Sequence, residues 1–328
     1  MYISTATVDD LLRAVLTKLL DVRTRIKPSR GSASELCGVM LRLRNPRARL
    51  SRTEAKGKLF SCLGELLWYL AKTNDLKFIT YYLSHYERES EDGQTVYGAY
   101  GPRLFDFKGR SPVESTIELL KKNPASRRAV VPLFDVTDIV DKHKEVPCTC
   151  LMQFLVRNGH LHMLIYMRSN DVLLGLPHDI FAFTMLQELI ARSLGIEVGS
   201  YKHVVGSLHL YDSDRTTAQQ YLREGWQSTT DMPPMPVGDP WDSVRRVVKA
   251  ERQIRNGEAI DVTGLSDYWQ DLIRLLQIFW HFRTHDAGEI ARLKKGLSSR
   301  VYDTYVQEKA RLAIQRALEG SREARSRS

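Results

Sequence analysis

Apolar residues recur at three- and four-residue spacing over 7–22, which predicts an amphipathic helix with Thr7 as a possible N-cap ahead of Asp9 and Asp10. The segment "IKPSRGSASELCGVMLRL" then predicts a Pro/Ser/Gly-rich loop running into a strand near 36–43. A strongly apolar stretch, "GKLFSCLGELLWYLAK" (57–72), predicts a helix carrying a single acid, Glu65. Residues 86–104 are polar with interspersed Gly and Tyr and read as a loop, 113–123 as a helix, and "SRRAVVPLF" (126–134) as two arginines at the mouth of a buried strand. The clearest signal is "CLMQFLVRNGHLHMLIYMRSND". Two alternating runs flank Asn158-Gly159, a pair that favours a two-residue hairpin turn, so strands are expected at about 150–157 and 161–167. A buried helix beginning near Asp179 and a strand over 203–214 follow. After the proline-rich "DMPPMPVGDPWD" the texture turns helical, with segments at 266–284 and 287–319. The expected organisation is a domain over 1–235 and a helical extension over 236–328.

Composition adds limits. The 328 residues are 43% hydrophobic and 27% charged, as in ordinary globular proteins. No run of about 18 apolar residues predicts a membrane span. The acids at 9 and 10 argue against a secretory signal, and four cysteines in so long a chain suit a reducing cytoplasm. The spacing Cys148-Thr-Cys150 has no second Cys/His pair, so no metal is expected. A net charge of +9 suits anionic partners without saying which, and part of it sits in the terminal "SREARSRS", read as a frayed, solvated tail.

Candidate chemistry begins at Cys148, which reads either as a small buried hydrophobe or as a nucleophile. Hairpin pairing brings Arg168 beside it, and a fixed cation stabilises a thiolate; Arg127 and Arg128 add charge if they converge. Glu65 is either a solvated acid or a buried carboxyl of raised pKa able to move protons or hold water. Arg127, Arg128 and Arg168, with Ser126 and Ser169 nearby, have the donor chemistry of a phosphate site or of a salt-bridged surface. His209 and Tyr211 share one strand face and suit sugar hydroxyls or a half-buried packing role.

Glu65 in "GELLWYL", Tyr100 in "GAYGPRL", "PASRRAVV", "PCTCLMQF", "RSNDVLLGLPHDI" and "GSLHLYDSD" together resemble the thymidylate synthase superfamily in order and spacing over about 57–214. The resemblance implies an α/β fold whose large mixed sheet packs against a homodimer mate. It implies that Cys148 is the nucleophile adding to pyrimidine C6, that Glu65 organises water and proton transfer, and that Tyr100 lies near the reacting carbon. Arg127 and Arg128 match phosphate ligands lent to the partner's site, Arg168 and Ser169 same-subunit phosphate ligands, Asp171 a contact of the folate pterin, and His209 and Tyr211 ligands of the sugar 3′-hydroxyl. Methylenetetrahydrofolate is the implied one-carbon donor.

The departures from the family pattern are informative. Asp179 stands where thymidylate synthases carry asparagine. Cytosine reverses the donor and acceptor of uracil at N3 and position 4, and a carboxyl can meet cytosine either protonated or as a carboxylate facing a protonated ring. The cytidylate hydroxymethylases resemble the chain here; the alternative is that Asp179 merely caps its helix. Thr149 replaces the histidine usual after the nucleophile, "KPSRGS" leaves Lys27 or Arg30 as the N-terminal phosphate ligand, and the usual C-terminal closing segment is not recognisable. The expectation is hydroxymethylation of CMP or dCMP. Nucleoside-antibiotic pathways use the ribonucleotide and phages the deoxynucleotide, and the helical C-terminus leans toward the former. The alternatives are a thymidylate synthase acting on dUMP, and a non-catalytic nucleotide- or RNA-binding protein.

Overall fold

The structure is a computed structural model and describes residues 1–28, 30–51, 58–225 and 230–326, with side chains through Arg316. Gly57, expected to open a helix, and Ser29 of the N-terminal loop lie outside the described residues. The chain forms two compact units, Met1–Met232 with Val237–Asp239, and Pro233–Pro236 with Pro240–Ser328.

The first unit contains, in order, β1 (Tyr2–Thr5), α1 (Val8–Asp21), β2 (Ala33–Leu43), α2 (Leu59–Leu70), α3 (Leu76–Tyr82), α4 (Tyr100–Phe105), α5 (Pro112–Lys122), β3 (Val130–Pro132), α6 (Thr137–Val140), β4 (Thr149–Arg157), β5 (His160–Asp171), α7 (Leu176–Ser193), β6 (Glu197–Tyr211) and α8 (Arg215–Arg223). Six strands form one mixed sheet in the order β1-β2-β6-β5-β4-β3. β1/β2 and β5/β6 pair parallel, the rest antiparallel. Thr7 caps α1, its hydroxyl accepting from Asp10 N at 3.1 Å.

The β4–β5 hairpin turns on Asn158 (φ 50°) and Gly159 (φ 72°), the left-handed pair that a two-residue turn requires. The parallel β5–β6 pair needs a crossover, and α7 supplies it. This helix is buried on nearly every side, from Leu176 to Arg192. It packs on α2, itself apolar all round except for Glu65.

Several boundaries differ from expectation. α7 begins at Leu176, not near Asp179, because Pro177 fits the first helical turn. Gly175 occupies the cap position with no side-chain bond, so the capping role for Asp179 is ruled out. The strand after Arg127 and Arg128 has only three residues and lies at the sheet edge, with Val130 40% exposed rather than buried.

The second unit is helical: α9 (Trp241–Arg255), α10 (Asp267–Arg283), α11 (Ala287–Lys295) and α12 (Asp303–Ser326). α9 was not expected, since its apolar stripe is narrow (Val244, Val247, Ala250, Ile254) and charges fill the other faces. The helix expected over 287–319 is broken after Gly296. Asp271 explains the break, because its carboxylate accepts from the backbone N–H of Ser298 and Ser299 at 3.0–3.1 Å. α12 runs to Ser326, so the backbone of the terminal segment is helical rather than frayed. Among the described residues no helix is long and apolar enough to cross a membrane.

Candidate active site

Cys148 sits at the open end of the hairpin, one residue before β4. Its carbonyl accepts from Arg168 N at 2.8 Å, and the Arg168 guanidinium donates to the carbonyls of Pro147 and Val146 at 3.0 Å each. A register shift between Thr149 and Leu151 bulges Cys150 out of the ladder, and bulges commonly re-aim side chains beside functional sites. Burial pushes the Cys148 thiol up to about 12, and Glu145 and Asp179 add to the effect. Arg168 and Arg30 are the cations that oppose it. The thiolate therefore does not arise from Arg168 alone in the free protein; desolvation outweighs a single exposed guanidinium.

Two carboxyls lie deeper. Glu65 is 6% exposed, so the buried alternative holds. It accepts from Tyr69 at 2.9 Å and Tyr86 at 2.7 Å through one oxygen, Oε1. Burial raises its pKa and the two phenol bonds pull the other way. Asp179 is 8% exposed and accepts from Asn170 Nδ2 at 2.7 Å. Burial, reinforced by the negative charge of Glu65, raises its pKa well above the carboxylate range, so its neutral form is favoured. The Tyr100 hydroxyl accepts from Thr149 N and Oγ1, both at 3.0 Å, and feels the charges of Asp179 and Cys148. Thr149 thus ties the start of β4, next to Cys148, to Tyr100.

The remaining expected residues fall on the ends of β5 and β6. Register sets Ser169 against Ser207 and Asp171 against His209. Ser169 Oγ lies 3.4 Å from His209 Nδ1, and the His209 and Tyr211 rings stack edge-on at 5.0 Å. Asp171 Oδ1 accepts from Leu173 N and Leu174 N at 2.7 Å, which shapes the turn into α7. Its buried Oδ2 has no hydrogen-bond partner among the described residues. Arg30 lies near Cys148 and Tyr211 and is paired with Glu89 and, at 3.7 Å, with Glu145. Lys27 is exposed. Arg127 and Arg128 are exposed at the start of β3 rather than gathered around Cys148.

Sequence reasoning missed three features. Tyr69 and Tyr86 grip Glu65, and only the i, i+4 spacing of Glu65 and Tyr69 hints at it. Lys58 reaches the Leu173 carbonyl at 3.2 Å; burial lowers its pKa while Asp171 and Glu65 act to raise it. The chain Asn170–His203–Tyr201 behind Asp179 joins positions far apart in sequence and left no local signal.

A six-stranded mixed sheet with a cysteine at the hairpin mouth, and two packed helices that each bury an acid, define the α/β fold. Residues 21–244 match the family described as Thymidylate synthase, and the chain belongs to that family. It is 31% identical over 216 residues, 61% of this chain, to the "Deoxyuridylate hydroxymethyltransferase" of Bacillus phage SP01; the chain spans 56% of the length of that relative. A crystal structure of thymidylate synthase from T4 phage shares the fold with a TM-score of 0.59 at 21% identity, over 72% of this chain and 91% of that one.

Proposed function

We propose that the protein is a one-carbon transferase that hydroxymethylates C5 of a cytidylate, CMP or dCMP. The observation that carries the reading is Asp179. It is a buried carboxyl whose neutral form burial favours, in the electrostatic neighbourhood of Cys148, and the donor from Asn170 Nδ2 to its Oδ2 at 2.7 Å makes its two oxygens unequal. Family membership and the phage hydroxymethyltransferase relative support the reaction class.

In this reading Cys148 adds to C6 of the ring, and the bond makes C5 nucleophilic. Asp179 donates to N3 and accepts from the 4-amino group, stabilising the negative charge that addition sends into the ring. The thiol gives its proton to water only once substrate arrives, when Arg168 and the phosphate-side cations orient the nucleotide. Methylenetetrahydrofolate would supply the carbon and leave as tetrahydrofolate, with Asp171 on the pterin side, and C5 gives up its proton to water. Glu65, oriented by Tyr69 and Tyr86, positions the water that adds to the exocyclic carbon, and Cys148 leaves. Arg168 and Ser169 hold the phosphate with Arg30 as the N-terminal ligand, and His209 and Tyr211 hold the sugar. Arg127 and Arg128, both exposed, serve a partner subunit in a homodimer.

A second reading is hydroxymethylation of a uridylate, favoured by the phage relative's name, deoxyuridylate hydroxymethyltransferase. The deciding experiment is release of tritium from C5-labelled CMP, dCMP and dUMP with folate present. The proposal expects cytidylate release without dihydrofolate formation, and exclusive release from dUMP would overturn it. Dihydrofolate produced from dUMP would instead mark a thymidylate synthase.

A further inference from the structure

We propose that the buried chain Tyr201–His203–Asn170 fixes which carboxyl oxygen of Asp179 carries the proton, and so determines which pyrimidine the site accepts. The inference rests on the reading above in one respect, that Asp179 meets the edge of the base.

Asn170 belongs to β5, next to Ser169, while Tyr201 and His203 stand two apart on one face of β6. Asn170 Nδ2 donates to Asp179 Oδ2 at 2.7 Å. Asn170 Oδ1 lies 3.2 Å from His203 Nε2, and the Tyr201 hydroxyl lies 2.7 Å from His203 Nδ1. The directions follow from the donor inventory. An amide that donates forward through nitrogen has only its oxygen to offer behind. His203 Nε2 therefore carries the proton, Nδ1 is bare, and Tyr201 donates to it. All four side chains are buried: Asp179 at 8%, Asn170 at 4%, Tyr201 at 1% and His203 at 0% exposure. Burial also lowers the His203 pKa to about 3, which keeps the ring in the neutral form that this pattern needs.

The consequence lies in the symmetry of a neutral carboxyl. With its hydroxyl opposite N3 and its carbonyl opposite position 4, it matches cytosine. With the two exchanged, it accepts from N3–H and donates to O4, and matches uracil. A neutral acid by itself therefore selects neither base. The donor from Asn170 favours Oδ2 as the carbonyl oxygen, the better acceptor, and so favours the proton on Oδ1. Reversing that choice requires Asn170 to turn over and every bond behind it to reverse. With the proton pinned, one base is matched at both contacts, and the other meets donor against donor and acceptor against acceptor. The proposed cytidylate activity corresponds to Oδ1 facing N3.

The test is the ratio of tritium release from C5-labelled cytidylate to that from C5-labelled uridylate. It is taken within each preparation, so the fraction of folded protein cancels. Asn170→Leu removes the donor at nearly constant volume, and is expected to move the ratio toward unity by about tenfold or more. Tyr201→Phe, which removes only the terminal hydroxyl, moves it the same way by less. His203→Gln keeps a neutral donor toward Asn170 and stays near the wild-type ratio, while His203→Phe follows Asn170→Leu. Retention of the wild-type ratio by both Asn170→Leu and Tyr201→Phe overturns the inference, as does identical behaviour of the two histidine variants. Should Asn170→Leu fail to fold, the Tyr201→Phe ratio alone decides. A wild type that prefers uridylate, with a ratio that still collapses in the variants, overturns the cytidylate reading and keeps this inference. A wild type with no exchange on any base overturns both.

Discussion

The backbone N–H of Arg168 donates to the carbonyl of Cys148 at 2.8 Å, and the same residue's guanidinium holds the carbonyls of Pro147 and Val146. One residue thus anchors the nucleophile through its main chain and the loop before it through its side chain. Arg168→Ala should lower tritium release by about 100-fold or more, since it removes the guanidinium's hold on the loop before Cys148 and the phosphate ligand proposed above. The folded state should lose only about 1 kcal/mol, because the guanidinium is exposed. Arg168→Lys should recover little activity, as a point charge does not span two carbonyls. Steady-state kinetics and thermal melts of both variants check this.

Burial holds Cys148 as a neutral thiol, whereas Cys37 is exposed on β2. A thiol reacts through its thiolate, so a raised pKa means slow reaction that accelerates with pH up to that pKa. Iodoacetamide at pH 7.5 should modify Cys37 well before Cys148, read by peptide mass spectrometry. Faster labelling of Cys148 would contradict its protonated resting state.

Tyr69 and Tyr86 donate to Glu65 and so lower a pKa that burial has raised. Removing one donor leaves burial less opposed, and the pKa rises further. Tyr86→Phe should therefore move the acidic limb of the kcat profile to higher pH by roughly half a unit to one unit, the equivalent of one hydrogen bond. Glu65→Gln should abolish that limb along with most turnover.

Glu145 has its pKa raised to about 7, by burial first and by Glu89 next. The native state therefore holds this proton more tightly than the unfolded chain. The resulting stability is complete below the ordinary glutamate pKa near 4.5 and is lost as pH rises to about 7. Glu145→Gln should flatten the dependence of the thermal midpoint on pH across that window. At pH 8 it should be more stable than wild type by on the order of 1 kcal/mol. Parallel slopes for the two proteins would count against the assignment.

Gly159 has φ +72°, and an added Cβ would meet nothing within 4 Å. Gly159→Ala therefore isolates backbone strain from packing, and should cost about 1 kcal/mol in chemical denaturation. A neutral result would mean that the hairpin turn relaxes to another type.

What the residues announced was local. Alternation around Asn158-Gly159 disclosed the β4–β5 hairpin and, with it, the approach of Arg168 to Cys148. The apolar run at 57–72 disclosed a buried helix, and Thr7 disclosed the cap of α1. These features depend on spacing along a few turns of chain, where periodicity and turn chemistry act directly. The motif set also disclosed the family, since several short motifs in fixed order are far more specific than any one of them. α9 escaped because a narrow apolar stripe among charges is hard to tell from a solvated segment.

Tertiary structure alone decided the ionisation of the buried acids and the partners that orient them. Glu65 could have been a surface acid until α7 closed over α2. Asp179 could have been a helix cap until Pro177 let the helix start earlier and Asn170 took its carboxyl. His203 reaches Asn170 through its side chain, although the strand register pairs Asn170 with Leu208. Desolvation and long-range hydrogen bonding depend on what surrounds a group in space, and no spacing rule along the chain encodes that.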